Sequence, residues 1–140
     1  MKSAKLLIAF VLTSLVLLAP AAAQTMPVRV TVPFDFTIGH QRMPAGVYRV
    51  TIQHDLELQV VRMDKSSVAN VLTTYIGRGS NQDLTPKLVF YRYGDHRYLA
   101  EVWMGDWEVG HQLFTSAEEL QFARTLKSEP TTIVATRLPN

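Results

Sequence analysis

Apolar side chains occupy every second position from Val28 to Ile38, and this run constrains the fold more than any other feature of the chain. Val28, Val30, Val32, Phe34, Phe36 and Ile38 share one parity, while Arg29, Thr31, Pro33, Asp35 and Thr37 take the other. Side chains of a strand point alternately to its two faces, so a period of two describes a strand with one greasy and one wet side. That pattern suits an antiparallel sheet packed on one side, because parallel sheets are covered on both and read as continuous apolar runs. Pro33 has no N–H for a ladder and predicts an edge position or a bulge. It falls on the wet parity, where it costs the core nothing.

The following segments repeat the theme. Met43-Pro44-Ala45-Gly46 predicts a type I turn with proline at its first corner. "VYRVTIQ" and "LELQVVRM" then form a hairpin around His54-Asp55, and Asp64–Ser67 is a polar turn. "VANVLTTYI" alternates less cleanly and predicts a central or curved strand, and residues 77–86 form a polar loop. "KLVFYRY" and "RYLAEVW" are joined at Gly94-Asp95, a hairpin signal. A three-residue loop there sets Leu88 and Phe90 against Val102 and Ala100, whereas a two-residue loop sets Phe90 against Leu99; both registers stay open. "MGDWEVGHQLF" reads as a loop. The period then changes to that of a helix. Thr115 and Ser116 are each followed three residues on by a glutamate, Glu118 and Glu119, giving two overlapping capping boxes whose acids also suit the helix dipole. Leu120, Phe122, Ala123 and Leu126 supply its apolar arc, which ends near Lys127, and "TTIVATRL" is a last strand. The fold class is therefore all-β and mainly antiparallel: a small barrel or sandwich of about seven strands, with one C-terminal helix before the last strand.

Residues 1–23 read as a signal peptide. Lys2 and Lys5 form a charged start, Leu6–Leu18 is apolar apart from Thr13 and Ser14, and Ala21-x-Ala23 fits a cleavage site. Counted generously the apolar run reaches from Leu6 to Ala23, so the alternative is a membrane anchor with the leader retained. Cleavage leaves residues 24–140 as one β-rich domain of about 117 residues, enough for a single core. The whole chain carries 14 Lys+Arg against 12 Asp+Glu, and loss of the two leader lysines leaves 12 against 12. A neutral surface of that kind argues against nucleic acid as a partner. The chain has no cysteine, which excludes disulfides, a thiolate nucleophile and cysteine-based zinc sites.

"VTVPFDFTIG" leading into "MPAGVYRV", then "KLVFYRYGDHRYLAEVW" and a helix opening Ser-Ala-Glu-Glu, resembles a group of small exported bacterial β-rich proteins of unknown function. A VPFxF strand and a PAGxYxV turn-strand recur in that group. The resemblance implies an exported chain, periplasmic or secreted, and brings no catalytic residue with it.

No motif for chemistry stands out. There is no G-x-S-x-G, Ser66, Ser67 and Ser80 sit in turns, and Ser116 is a cap. His40, His54, His96 and His111 are scattered singly and read as exposed loop residues, so neither a metal nor another cofactor is expected. The functional colour lies in the aromatic run. Tyr91, Tyr93, Trp103 and Trp107 gather in one stretch with Arg92 and Arg97 interleaved, and Trp107 shares its glycine-flanked loop with His111. Parity sets Tyr91 and Tyr93 opposite Phe90, on a face turned to solvent or lining a cavity. These five residues are the candidate binding surface of a non-catalytic module, its partner an envelope protein, a glycan or a small apolar ligand. The rival reading is a small hydrolase or isomerase working in a barrel cavity around His96 or His111. Cross-strand aromatic pairing that only stabilises the hairpin explains the same run without any ligand.

Overall fold

The computed structural model describes residues 25–79, 83–105 and 109–139; the leader and Trp107 lie outside them. Strand β1 (Val28–Val32) buries Val28, Val30 and Val32, then the chain bends and resumes as β2 (Phe36–Ile38). The expected single strand is thus two. Pro33 offers no N–H at the bend, and Asp35 Oδ1 accepts from Ala45 N at 2.9 Å, tying the corner to the next turn. The parity survives the bend: Phe36 and Ile38 are buried, and Phe34 meets Phe90 edge-on at 5.1 Å.

Strand β3 (Gln41–Met43) returns along β2, a short pairing that the sequence reading passed over. Beyond Pro44, whose carbonyl accepts from the Tyr48 hydroxyl, β4 (Gly46–Gln53) pairs with β1 and forms the expected hairpin with β5 (Glu57–Arg62). The remaining elements are β6 (Val68–Gly77), β7 (Lys87–Tyr93), β8 (His96–Trp103), β9 (Val109–Leu113), helix α1 (Ala117–Thr125), β10 (Glu129–Val134) and β11 (Thr136–Arg137). β6 pairs with β5 through residues 68–72 and with β9 through residues 73–77. It is the curved central strand that its pattern predicts.

The strands form a path β10-β7-β8-β9-β6-β5-β4-β1-β11, with β2 joined to β8 by a parallel bridge at Thr37 and Tyr98. The path does not close into a barrel. It folds over at β6 into two layers around one core, and its two ends are consecutive in the chain, separated by Ala135, whose N–H donates to Pro86 O at 2.8 Å. The described residues hold eleven strand segments against the expected seven or so, because two expected strands each break at a corner, β3 has no counterpart in the expected set, and β9 lies in the stretch whose pattern suggests a loop.

Two details of the β7–β8 hairpin bear on function. Tyr93 pairs with His96, so the loop is Gly94-Asp95, with Gly94 left-handed at φ 60. Phe90 pairs with Leu99, yet Leu88 pairs with Val102, because the register shifts between Val89 and Phe90. A bulge thus satisfies a contact from each of the two registers the sequence allows. Phe90 sits at the centre of the core, 5.2 Å edge-on from Phe36, which in turn meets Tyr48 at 5.3 Å.

Candidate functional site

Pairing of Lys87 with Trp103 and of Tyr91 with Tyr98 sets Tyr91, Tyr93, Tyr98 and Trp103 on the face of the hairpin away from Leu88 and Phe90. The expectation of a face turned to solvent or lining a cavity is corrected here, because α1 covers much of it. Phe122 of α1 stacks on His96 at 4.1 Å and approaches Tyr98 at 6.4 Å, and Tyr93 packs on Tyr98 at 6.1 Å. Tyr93 and Trp103 are left 5% and 6% exposed, and Tyr91 is half-buried. Trp103 donates from Nε1 to Glu101 Oε2 at 2.9 Å, carries the Arg78 guanidinium 4.7 Å from its ring centroid, and lies against Gly110. This is a face engaged with its own neighbours.

Helix α1 is held by its cap. Ser116 Oγ accepts from Glu119 N at 3.2 Å, as the capping signal predicts, but Thr115 is not the cap. Capping does not account for the Glu119 side chain, which is buried and accepts from the Tyr93 hydroxyl at 3.3 Å. Burial pushes its carboxyl pKa up, against the hydrogen bonds from Tyr93 and Ser116. The tyrosines answer in kind. Burial, then the charges of Glu118 and Glu119, pushes Tyr98 up to about 12. Burial followed by Glu119 raises Tyr93, and burial followed by Glu101 and Glu119 raises Tyr91. All three phenols stay protonated at neutral pH, and that of Tyr93 donates to Glu119.

His111 is elsewhere. The segment expected to be a loop is strand β9, and His111 pairs with Tyr75 on one side and Val102 on the other. Val102 faces the core, so His111 lies on the opposite face of the sheet from Tyr91, Tyr93 and Trp103. It is 8% exposed, not an open loop histidine. Nδ1 is 3.1 Å from Thr73 Oγ1, the Tyr75 ring is 5.4 Å away, and burial lowers the imidazole pKa, so the ring is held neutral. The structure therefore divides the four described candidates, Tyr91, Tyr93, Trp103 and His111, between two faces.

The His111 face opens into a cleft of about 470 Å³ at one end of the space between the layers. Ile52 of β4 and Met104 give it buried apolar walls, Val109 and Tyr75 are partly exposed at its mouth, and Asp55 adds a carboxylate from the β4–β5 turn. The Tyr75 hydroxyl reaches Asp55 O at 3.4 Å and links the two sides. Sequence reasoning missed Tyr75, Met104 and Ile52 as a site. The available signal was parity, since Thr73 and Tyr75 share the core-ward side of β6 beside His111.

A second cleft, of about 450 Å³, lies between the β2–β3 hairpin and the start of β8. Three of its polar side chains are engaged with neighbours: Arg97 sits 4.7 Å over the Phe34 ring, His96 is stacked on Phe122, and Asp35 holds Ala45 N; His40, Arg42, Asp95 and Glu118 also line it. No group of three or more His, Asp or Glu poised to hold a metal occurs among the described residues. None of the described helices is long and apolar enough to cross a membrane.

Fold and site together define an all-β sandwich with an apolar, ligand-sized cleft between its layers. Comparison with family models, with curated proteins and with solved structures finds no match to this chain.

Proposed function

We propose that this protein is an exported, non-catalytic binding domain of the cell envelope or its surroundings, and that it takes a small apolar ligand in the cleft at His111. The carrying observation is the composition of that cleft: apolar walls from Ile52, Met104 and Val109, with a few convergent polar groups. Small-molecule sites have this make-up and volumes of about 300–1,000 Å³. Binding without catalysis is supported by the setting of His111, whose hydrogen-bond partner is a threonine that also bonds the Leu56 carbonyl. Export is supported by the leader pattern of residues 1–23 and by the resemblance to small exported bacterial proteins.

The cleft is favoured over the aromatic hairpin because Tyr93 and Trp103 are covered, whereas Tyr75 is 52% exposed beside an open volume. The test uses the neutral fluorophore N-phenyl-1-naphthylamine. Its emission should rise on binding, and Val109→Asp or Tyr75→Ala should weaken it at least about five-fold while Tyr91→Ala leaves it unchanged. Equal binding by all four proteins refutes the cleft as the site. The mass of the purified exported protein tests processing, with Gln24 expected at its N-terminus.

A further inference from the structure

The hydrogen bonds around Thr73 decide what His111 offers to a ligand. A threonine hydroxyl has one proton to give and lone pairs to receive. Thr73 Oγ1 lies 2.9 Å from Leu56 O and 3.1 Å from His111 Nδ1. The same carbonyl also accepts from Thr73 N at 2.9 Å, which its two lone pairs allow. With its proton directed to Leu56 O, the hydroxyl meets Nδ1 as an acceptor, so Nδ1 carries the imidazole hydrogen. A neutral imidazole has one donor and one acceptor nitrogen. Nε2 is then a bare acceptor, and it has no hydrogen-bond partner among the described residues.

His111 lines the cleft and its Nδ1 is engaged by Thr73, so Nε2 is the nitrogen left for a ligand to use. Asp55 is the one carboxylate or cationic side chain among the described residues that line it, and its charge acts against an anion entering. The other polar side chains of the lining are the hydroxyls of Thr25 and Tyr75, the latter donating to Asp55 O, so His111 and Asp55 set the preference and both ask for the same thing. Resting on the reading of this cleft as the binding site, we propose that it selects neutral molecules whose apolar body ends in an O–H or N–H donor, received by His111 Nε2, over the matching carboxylates. The ligand class is an apolar alcohol or phenol.

The experiment displaces bound N-phenyl-1-naphthylamine from the purified protein at pH 7 with 2-naphthol or with 2-naphthoate, two molecules of similar bulk. Naphthol should displace the fluorophore at a concentration about ten-fold lower than naphthoate. A His111→Phe variant, checked for its fold by circular dichroism, should narrow that ratio to about two- or three-fold by removing the acceptor. Long-range ¹⁵N–¹H correlation spectra of the wild-type protein should show the Nδ1–H tautomer at His111. Equal displacement by the two competitors, or stronger displacement by naphthoate, overturns the proposal while leaving the cleft as the site. An Nε2–H tautomer overturns it as well. Failure of the fluorophore to bind at all overturns the cleft reading and this inference together.

Discussion

Replacing Gly110 by alanine puts a methyl carbon where the Trp103 ring already stands. A Cβ on Gly110 would lie 2.7 Å from Cδ2 and Cε3 and 2.8 Å from Cε2 of Trp103. Carbon atoms in contact settle at about 3.5–4.0 Å, so the ring or the strand must give by about 1 Å. The ring is not free to do so, being tied through Nε1 to Glu101 and placed under Arg78. Overpacking of this kind costs about 1–3 kcal/mol. Alanine recovers about 0.4–1 kcal/mol of that by restricting the unfolded chain. The expected net loss is about 1–2 kcal/mol, a fall of about 0.5–1 M in the urea midpoint. Far-UV circular dichroism is the assay, because tryptophan emission changes with the mutation itself. In a Trp103→Leu background the obstacle is gone, and Gly110→Ala should become neutral or slightly stabilising, a coupling of about 1–2 kcal/mol between the two positions. An equal loss in both backgrounds, or a gain in the wild-type background, refutes the claim that Trp103 dictates glycine at position 110.

Three further outcomes follow from the helix and the buried groups. Ser116→Ala removes the acceptor for Glu119 N and should cost about 1 kcal/mol in urea melts, with faster amide exchange confined to residues 117–125. Glu119, raised by burial, keeps a proton in the folded state that the unfolded chain has released, so its stabilisation is full below the ordinary carboxylate range and is lost as pH rises through the folded pKa. Glu119→Gln should flatten that limb of the urea-midpoint profile and raise the midpoint at pH 7; an unchanged profile counts against a buried carboxyl. His111 acts with the opposite sign: its folded pKa is depressed, so stability falls as pH drops through about 6.5 towards that value, and His111→Gln should remove this slope.

The buried face of the fold was readable from parity alone: Val28, Val30, Val32, Phe36, Ile38, Tyr48, Val50, Leu58 and Val60 are all in the core. Corners were not. Pro33 announced a defect in a ladder without saying that the chain passes there from one layer to the other, because that depends on which strands wait on either side. Strand β9 escaped notice because Gly110 and His111 interrupt its short apolar alternation, and the reason for that glycine, the Trp103 ring, lies on another strand. The same long-range dependence hid the site. Tyr91, Tyr93, Trp103 and His111 are close in sequence, but pairing of Val102 with His111 turns the histidine inward while Trp103 faces out. Residue types alone could not separate a covered aromatic face from an open cleft; that distinction needed the helix laid over Tyr93 and Tyr98.

The two corners carry a consequence for how the molecule comes apart. β6 gives its first half to one layer and its second half to the other, and the final run changes partner across Ala135, from β7 to β1. Neither layer can peel away without rupturing ladders that the other also needs. Amides of β1 and β7, far apart in the chain, should therefore exchange through one shared global opening, as a single cooperative unit with no half-dismantled form between.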